Sequence, residues 1–270
     1  MKKRIALLLC GMSAASAVWA TDTVNIDVDV TVDAAACTPA LSNGGVADFG
    51  TRYAGSLSSS AFTQLGTRDL TLSVTCESST GVAITARDTR ASSVVVGKDK
   101  SGQEGVKFQI NNGAYVRDTT RLFGLGLTSE QKPIGSYGVQ INAAGVTAAD
   151  ESAAVQVEIA GAATKNGPWT RTTLLPLPTQ QDFFYTFVQK GTDIPQPISS
   201  AVVPLQVSAA VANGLGSGQE IKLDGEAVIT LVYLLSLFCK RISKIDTPVH
   251  RWRRAYQVCK EAAVCRPDKA

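Results

Sequence analysis

Short hydrophobic segments with a two-residue period recur along most of this 270-residue chain and limit what it can fold into. The clearest comes first, where Val24, Ile26, Val28, Val30 and Val32 alternate with polar residues. Such alternation is typical of a β-strand that buries one face. Further short strands are expected at residues 69–75, 82–85, 106–110, 137–141, 155–159, 183–188, 202–207 and 227–234. No long segment before residue 235 has the period of a helix, so the predicted fold class is all-β.

Turn-forming sequences separate these segments. They are Asn43-Gly44-Gly45, Asn111-Asn112-Gly113, Asn166-Gly167-Pro168 and Asp224-Gly225. Many short strands joined by frequent turns favour a β-sandwich or a barrel. Because no internal repeat or low-complexity linker interrupts residues 21–234, we expect one domain there.

The N-terminus has the features of a secretory signal peptide. Lys2, Lys3 and Arg4 form a charged start, a short apolar run follows, and Ala20 precedes the expected cleavage site. The apolar run is too short and too interrupted for a membrane span of ~20 residues. Residues 1–20 are therefore predicted to be removed on export, to the periplasm, a fimbrium or the cell surface.

Export changes what the cysteines are expected to do, because disulfides persist in oxidising compartments. Cys10 would leave with the signal peptide, and Cys37 and Cys76 are the only cysteines of residues 21–234. We predict a disulfide between them; two separately buried thiols are the alternative. Cys239, Cys259 and Cys265, whose pairing stays open, all lie in the last 36 residues.

Charge and composition exclude several functions. The net charge is +3, but residues 21–234 carry 14 basic and 20 acidic side chains, so a nucleic-acid partner is not expected. The single histidine, His250, lies outside that region, and no Gly-x-Ser-x-Gly nucleophile motif occurs. We name no catalytic residue, cofactor or metal site, and expect that the protein is not an enzyme.

Residues 226–234 stand out because both faces of this expected strand are apolar. Ala227, Ile229, Leu231 and Tyr233 form one face, and Val228, Val232 and Leu234 surround Thr230 on the other. Such a strand is an aggregation hazard at an open edge. It is either a central strand buried in the sandwich or a strand that pairs with another chain.

Four segments together resemble chaperone–usher pilins and other fimbrial-like proteins. They are residues 30–37, ending at Cys37; Val46-Ala47-Asp48-Phe49-Gly50; Leu70-Thr71-Leu72-Ser73-Val74-Thr75-Cys76; and residues 223–234. Residues 37–45 and Ile134-Gly135-Ser136-Tyr137 are more narrowly similar to an uncharacterised family of fimbrial-like periplasmic proteins, defined as a domain of unknown function.

The resemblance implies an immunoglobulin-like, pilin-type β-sandwich that lacks its last strand and so has an open apolar groove. A periplasmic chaperone, and then a neighbouring subunit at the usher, would supply the missing strand. Val24, Ile26 and Val28 match a donor strand, and Ala227, Ile229, Leu231 and Tyr233 would line the groove. The implied function is a structural or adhesive fimbrial subunit, with a host or surface receptor where it is adhesive. The alternative is a self-contained, monomeric periplasmic binding protein.

Residues 235–270 differ from the rest, with nine basic and three acidic residues. Arginines around Trp252 would suit an anionic membrane surface. A zinc site from Cys239, His250, Cys259 and Cys265 is a second possibility, although their spacing matches no usual zinc motif. We favour a third interpretation, that this tail is adventitious sequence following a domain that ends at Leu234.

Overall fold

The computed structural model describes residues 36–50, 54–173, 175–215 and 221–234, and these residues form an all-β protein. The only α-helix among the described residues is the single turn Ile110–Gly113. The strands are β1 (Cys37–Leu41), β2 (Thr63–Thr80), β3 (Val82–Asp88), β4 (Val106–Lys107), β5 (Tyr115–Val116), β6 (Phe123–Gly124), β7 (Gly135–Ile141), β8 (Thr147–Asp150), β9 (Ala153–Val155), β10 (Val157–Ala162), β11 (Thr170–Arg171), β12 (Phe184–Gln189), β13 (Ile198–Val211) and β14 (Ala227–Tyr233).

Two antiparallel sheets form the domain. The first has the order β1-β2-β13-β7-β6, with β8 beside β13 and β9 beside β8. The second has the order β11-β10-β12-β3-β14, and β4 and β5 form a separate small hairpin. The long strands β2 and β13 pair along most of their lengths and form the centre of the first sheet.

The core lies between the two sheets. Alternate residues of β2 and β13 are buried, as at Leu72, Val74, Val203 and Leu205, and they share one cluster with side chains of the second sheet. These second-sheet residues are Val82, Ile84, Ala86, Ile159, Tyr185 and Phe187. Two antiparallel sheets with a shared core make a β-sandwich, so the predicted fold class is confirmed.

One expected strand is shorter than its sequence pattern indicates. Residues 106–110 form a strand only at Val106–Lys107, and Ile110 begins the helical turn. The Gln206 side-chain oxygen accepts hydrogen bonds from the backbone N–H groups of Gln109 and Ile110, at 2.8 and 3.0 Å. Because a side chain from β13 satisfies these two donors, the backbone turns away from its partner strand there.

The predicted disulfide between Cys37 and Cys76 is present. The two residues are directly opposite in the β1–β2 pair. Glu77 N donates to Ala36 O, so the next pair along, Cys37 with Cys76, is a non-hydrogen-bonded pair. In such pairs the side chains lie closest, and the Cα atoms here are 4.0 Å apart. The bond fixes the edge strand β1 to its neighbour and supports export to an oxidising compartment.

Several expectations fall on residues outside the described ranges. These are the signal peptide, the donor-like residues Val24, Ile26 and Val28, and the tail 235–270 with its cysteines and His250. Within the described residues, no helix is long and apolar enough to cross a membrane.

Replacing either cysteine should destabilise the domain. The bond closes a loop between residues 39 apart, and the chain-entropy model assigns such a loop about 4 kcal/mol. We expect Cys37→Ser and Cys76→Ser each to lower the free energy of unfolding, measured by urea denaturation, and to reduce the amount of exported protein. Normal stability of both variants would contradict a stabilising role.

Candidate functional site

The strand β14 forms an open edge within the described part of the chain. It pairs with β3 on one side, from Ala227 opposite Asp88 to Tyr233 opposite Val82. No other described strand pairs with it. Among the described strands β14 is therefore at the edge of its sheet, and Val228 on its outer face is 39% exposed.

The hydrogen bonds to β3 fix which backbone groups of β14 face the open edge. Thr89 N donates to Glu226 O, and Leu234 N donates to Gly81 O. Hydrogen-bonded pairs recur every second residue in an antiparallel ladder, so residues 226, 228, 230, 232 and 234 face β3. The N–H and C=O groups of Ala227, Ile229, Leu231 and Tyr233 therefore point away from β3, and no described residue bonds to them.

A groove of about 790 Å³ runs beside this edge and reaches into the core. Ala227 and Ile229 line one side, together with residues 221–223, 225 and 226. The floor is the inner face of the first sheet, with Leu65, Leu70, Val139, Leu205 and Val207 among its residues. The groove is thus a gap between the edges of two sheets, lined largely by aliphatic side chains.

The four residues predicted to line the groove lie along its β14 side, but they differ in how far they contribute to its lining. Ala227 and Ile229 line the cavity itself, and Leu231 is partly buried against the core. Tyr233 is 40% exposed, and its hydroxyl accepts a hydrogen bond of 2.8 Å from Cys37 N. That contact joins β14 to β1 across the gap, so it closes one end of the groove.

The wall opposite β14 is a segment without strand structure that follows β1. Asn43, Gly44 and Gly45 have positive φ angles, which end β1 and redirect the chain. Arg68 then holds the segment, because its guanidinium lies 5.0 Å from the centre of the Phe49 ring and its Nε donates to Asp48 O. Phe49 packs into the core. Sequence periodicity did not identify this wall, since its position depends on contacts with β2.

The start of β14 is held by close packing and by charge. Gly225 lies against Tyr137, and a Cβ there would be 2.5 Å from a ring carbon. Arg90 pairs with Asp224 at 3.1 Å and reaches Glu226 at 3.8 Å, although exposure of these side chains limits what the pairs contribute. Asp224 N also donates to Leu125 O, which attaches this segment to the first sheet.

Asp88 links the two sheets at this end of the groove. Its carboxylate accepts hydrogen bonds from Gly124 N of β6 at 2.9 Å and from Arg90 N at 2.8 Å. Burial raises the pKa of the Asp88 carboxyl, and these two hydrogen bonds and the charge of Arg90 oppose that rise only in part.

Another hollow of about 590 Å³ lies beside β5, β11 and β12. The Arg121 guanidinium covers the Phe183 ring there, 4.7 Å from the ring centre, and Arg171 pairs with Glu158 and Asp193. The Phe183 ring and the Arg171 guanidinium of this hollow are thus already in contact with other side chains of the protein. Among the described residues, no group of three or more His, Cys, Asp or Glu side chains is arranged to hold a metal ion. The groove is the candidate site.

The described residues define a class of protein, a β-sandwich with an apolar groove beside an edge strand. Comparisons with known proteins give the family. A model of the family "Protein of unknown function (DUF1120)" matches residues 26–138, which include both cysteines of the disulfide and the groove wall.

Two proteins of Escherichia coli (strain K12) are similar over most of their lengths. "Uncharacterized protein YhcF" is 49% identical over 235 residues, which cover 85% of this chain and 99% of that protein. "Protein GltF" is 28% identical over 250 residues, which cover 84% of this chain and 96% of that protein. The chain belongs to the same family as YhcF, a family whose names state no function.

The raised pKa of Asp88 predicts how stability changes with pH. The folded protein binds this proton more tightly than the unfolded chain, whose aspartates have a pKa of about 3.9. Protonation therefore favours folding, and the carboxyl's contribution to stability falls as pH rises through the folded pKa. We expect the free energy of unfolding of the wild type to increase relative to Asp88→Asn between pH 7 and pH 4, measured by urea denaturation. A decrease over that interval would contradict the assignment.

Tyr233→Phe should loosen the closed end of the groove. The variant removes the acceptor for Cys37 N and keeps the ring, and one such hydrogen bond contributes about 1 kcal/mol or less at a partly exposed position. We expect a small loss of stability together with faster amide hydrogen exchange at Cys37. Unchanged exchange at that amide would show that the contact does not hold β14 to β1.

Proposed function

We propose that the protein is a structural or adhesive subunit of a fimbrial-type assembly in the bacterial cell envelope, and that its groove binds a β-strand. One observation carries the proposal. Along β14 the residues whose side chains line the groove are also those whose backbone groups lack a described partner. A single inserted strand would cover these side chains and also form hydrogen bonds with these backbone groups.

The energetics favour an occupied groove. Unpaired backbone groups and exposed aliphatic side chains are both costly in water. A strand that buried four or five aliphatic side chains on the floor would gain on the order of 10 kcal/mol before ordering costs. Main-chain pairing would supply affinity and the alternate side chains specificity, as in other cases of strand addition.

The similarity to pilins suggests the partners. A periplasmic chaperone would supply a strand first, and a neighbouring subunit would replace it at an usher. The disulfide between β1 and β2 is compatible with this route, because it supports export. Location in the periplasm, a fimbrium or the cell surface, and binding to a host or surface receptor, belong to the proposal, which includes no catalytic activity.

Charge substitutions on the two faces of β14 test the proposal. Ile229 lines the groove, whereas Val228 on the same strand is 39% exposed on the outer face. A buried carboxylate in the groove would oppose insertion of an apolar strand, so we expect Ile229→Asp to remove the protein from fibres sheared from the bacterial surface. Val228→Asp is the matched control and should remain in that fraction.

The location of the wild-type protein decides between a fimbrial subunit and a self-contained periplasmic binding protein. Detection of the chain in sheared fibres, by immunoblot, supports a subunit. A wild-type chain recovered only as a monomer from the periplasm would contradict the subunit proposal and support the self-contained binding protein. Equal loss of both aspartate variants would show that the effect is not specific to the groove.

A further inference from the structure

We propose that the hollow beside β5, β11 and β12 binds a small hydroxycarboxylate, a molecule with one carboxylate and several hydroxyl groups. Among the described strands, β11 is the edge of the second sheet opposite β14, and the hollow shares no lining residue with the groove. Its volume of about 590 Å³ is within the range of small-molecule sites, roughly 300–1,000 Å³. Binding there would be independent of strand binding in the groove.

A buried amide lines this hollow without a hydrogen bond to a described residue. Gln140 of β7 is only 3% exposed. Its backbone groups bond to Gln206 of β13, because Asn142 N donates to Pro204 O and hydrogen-bonded pairs recur every second residue from there. The atoms that Gln140 presents to the hollow therefore belong to its side chain, whose amide has no partner among the described residues.

The neighbouring amide shows how a buried glutamine of this sheet is normally paired. Gln206 lies directly opposite Gln140, so the two side chains share one face. The Gln206 oxygen accepts hydrogen bonds from Gln109 N and Ile110 N, and its nitrogen reaches Asp69 Oδ1 at 3.4 Å. An unpaired buried amide is costly, and an amide both donates and accepts. Ligand hydroxyl groups, which also do both, would supply the missing partners of Gln140.

Arg121 is held at the hollow by an aromatic ring and lacks an acceptor. Its guanidinium carbon lies 4.7 Å from the centre of the Phe183 ring. That ring is itself fixed, because a Cβ at Gly161 would be 2.5 Å from it and Tyr185 packs against it with ring centres 5.2 Å apart. Nη1 of Arg121 is buried without a hydrogen-bond partner among the described residues. A carboxylate is the acceptor that best matches the N–H donors of a guanidinium held in this way.

Two of the three arginines that line the hollow are available to a ligand. Arg171 is not, because its Nη1 lies 3.1 Å from Glu158 and its Nε 3.2 Å from Asp193. Arg117 and Arg121 form no ion pair with a described residue. These two side chains are therefore the cations that a carboxylate in the hollow would meet.

The charges around the hollow favour a ligand with a single negative charge. Two hydrogen bonds from Thr120 lower the pKa of the Asp118 carboxyl, the one carboxyl in the described lining, so it is ionised at neutral pH. Together with Glu158 and Asp193, three carboxylates then match the three arginines in number. A dianion such as phosphate would be repelled more strongly by these carboxylates than a monocarboxylate would.

Calorimetric titration of the purified, exported protein tests the ligand class. The probes are glucuronate, a ring-form sugar acid, gluconate, an open-chain acid, glucose, which has no carboxylate, and inorganic phosphate. We expect saturable binding of glucuronate or gluconate, and the tighter of the two identifies the form that the hollow accepts. Glucose should bind at least about tenfold more weakly, because it leaves the arginines without an acceptor. No saturable binding of either acid, or tighter binding of phosphate, would overturn the inference.

Gln140→Met separates a ligand-binding amide from a structural one, since methionine has a side chain of similar length without the amide. We expect about tenfold weaker binding of the acid, because its hydroxyl groups lose their partner. The urea midpoint should be unchanged or higher, because an unpaired buried amide is removed. A lower midpoint would contradict the inference, since it would show that the amide is already paired within the folded protein.

Arginine substitutions test the carboxylate contact. Arg121→Gln and Arg117→Gln should each weaken binding of the acid about tenfold. Arg117 is exposed, so its variant keeps the test decisive if Arg121→Gln lowers stability. Arg87→Gln is the matched control, because Arg87 is an exposed arginine of β3 outside the hollow, and it should bind as the wild type does. Equal loss in the control would show general attraction to positive charge and refute a site in the hollow.

Discussion

In β14 the same residues need their apolar side chains shielded from water and their backbone groups hydrogen-bonded. In a β-strand the residues that turn their side chains to one face also direct their backbone groups to one edge. In β14 these residues are Ala227, Ile229 and Leu231, which face the core with their side chains and the open edge with their N–H and C=O groups. Whatever shields the apolar side chains must also bond to the backbone. A loop or a bound lipid would meet only the first requirement, whereas a strand meets both.

The disulfide makes the gap possible by holding its other side in place. β1 is only five residues long and is itself an edge, so its pairing with β2 alone would be weak support for the groove wall. The bond fixes its first residue to Cys76, whose side chain belongs to the core cluster. At the other end, Arg68 fixes the segment that contains Phe49. The wall is thus anchored at both ends to β2, and the gap can stay open without collapse of the first sheet.

Local sequence pattern predicted the strands far better than it predicted the groove. Period-two alternation identified the core strands, because this signal lies within each short segment. The disulfide could be predicted because residues 21–234 contain only two cysteines. The position of β14 at an edge depends on its pairing with residues 82–88, about 145 positions earlier, which no local pattern reveals. The groove wall depends on Arg68 reaching Asp48 and Phe49, also a non-local contact. Apolar residues on both faces of 226–234 did indicate that this strand was unusual, but not which of its sides was open.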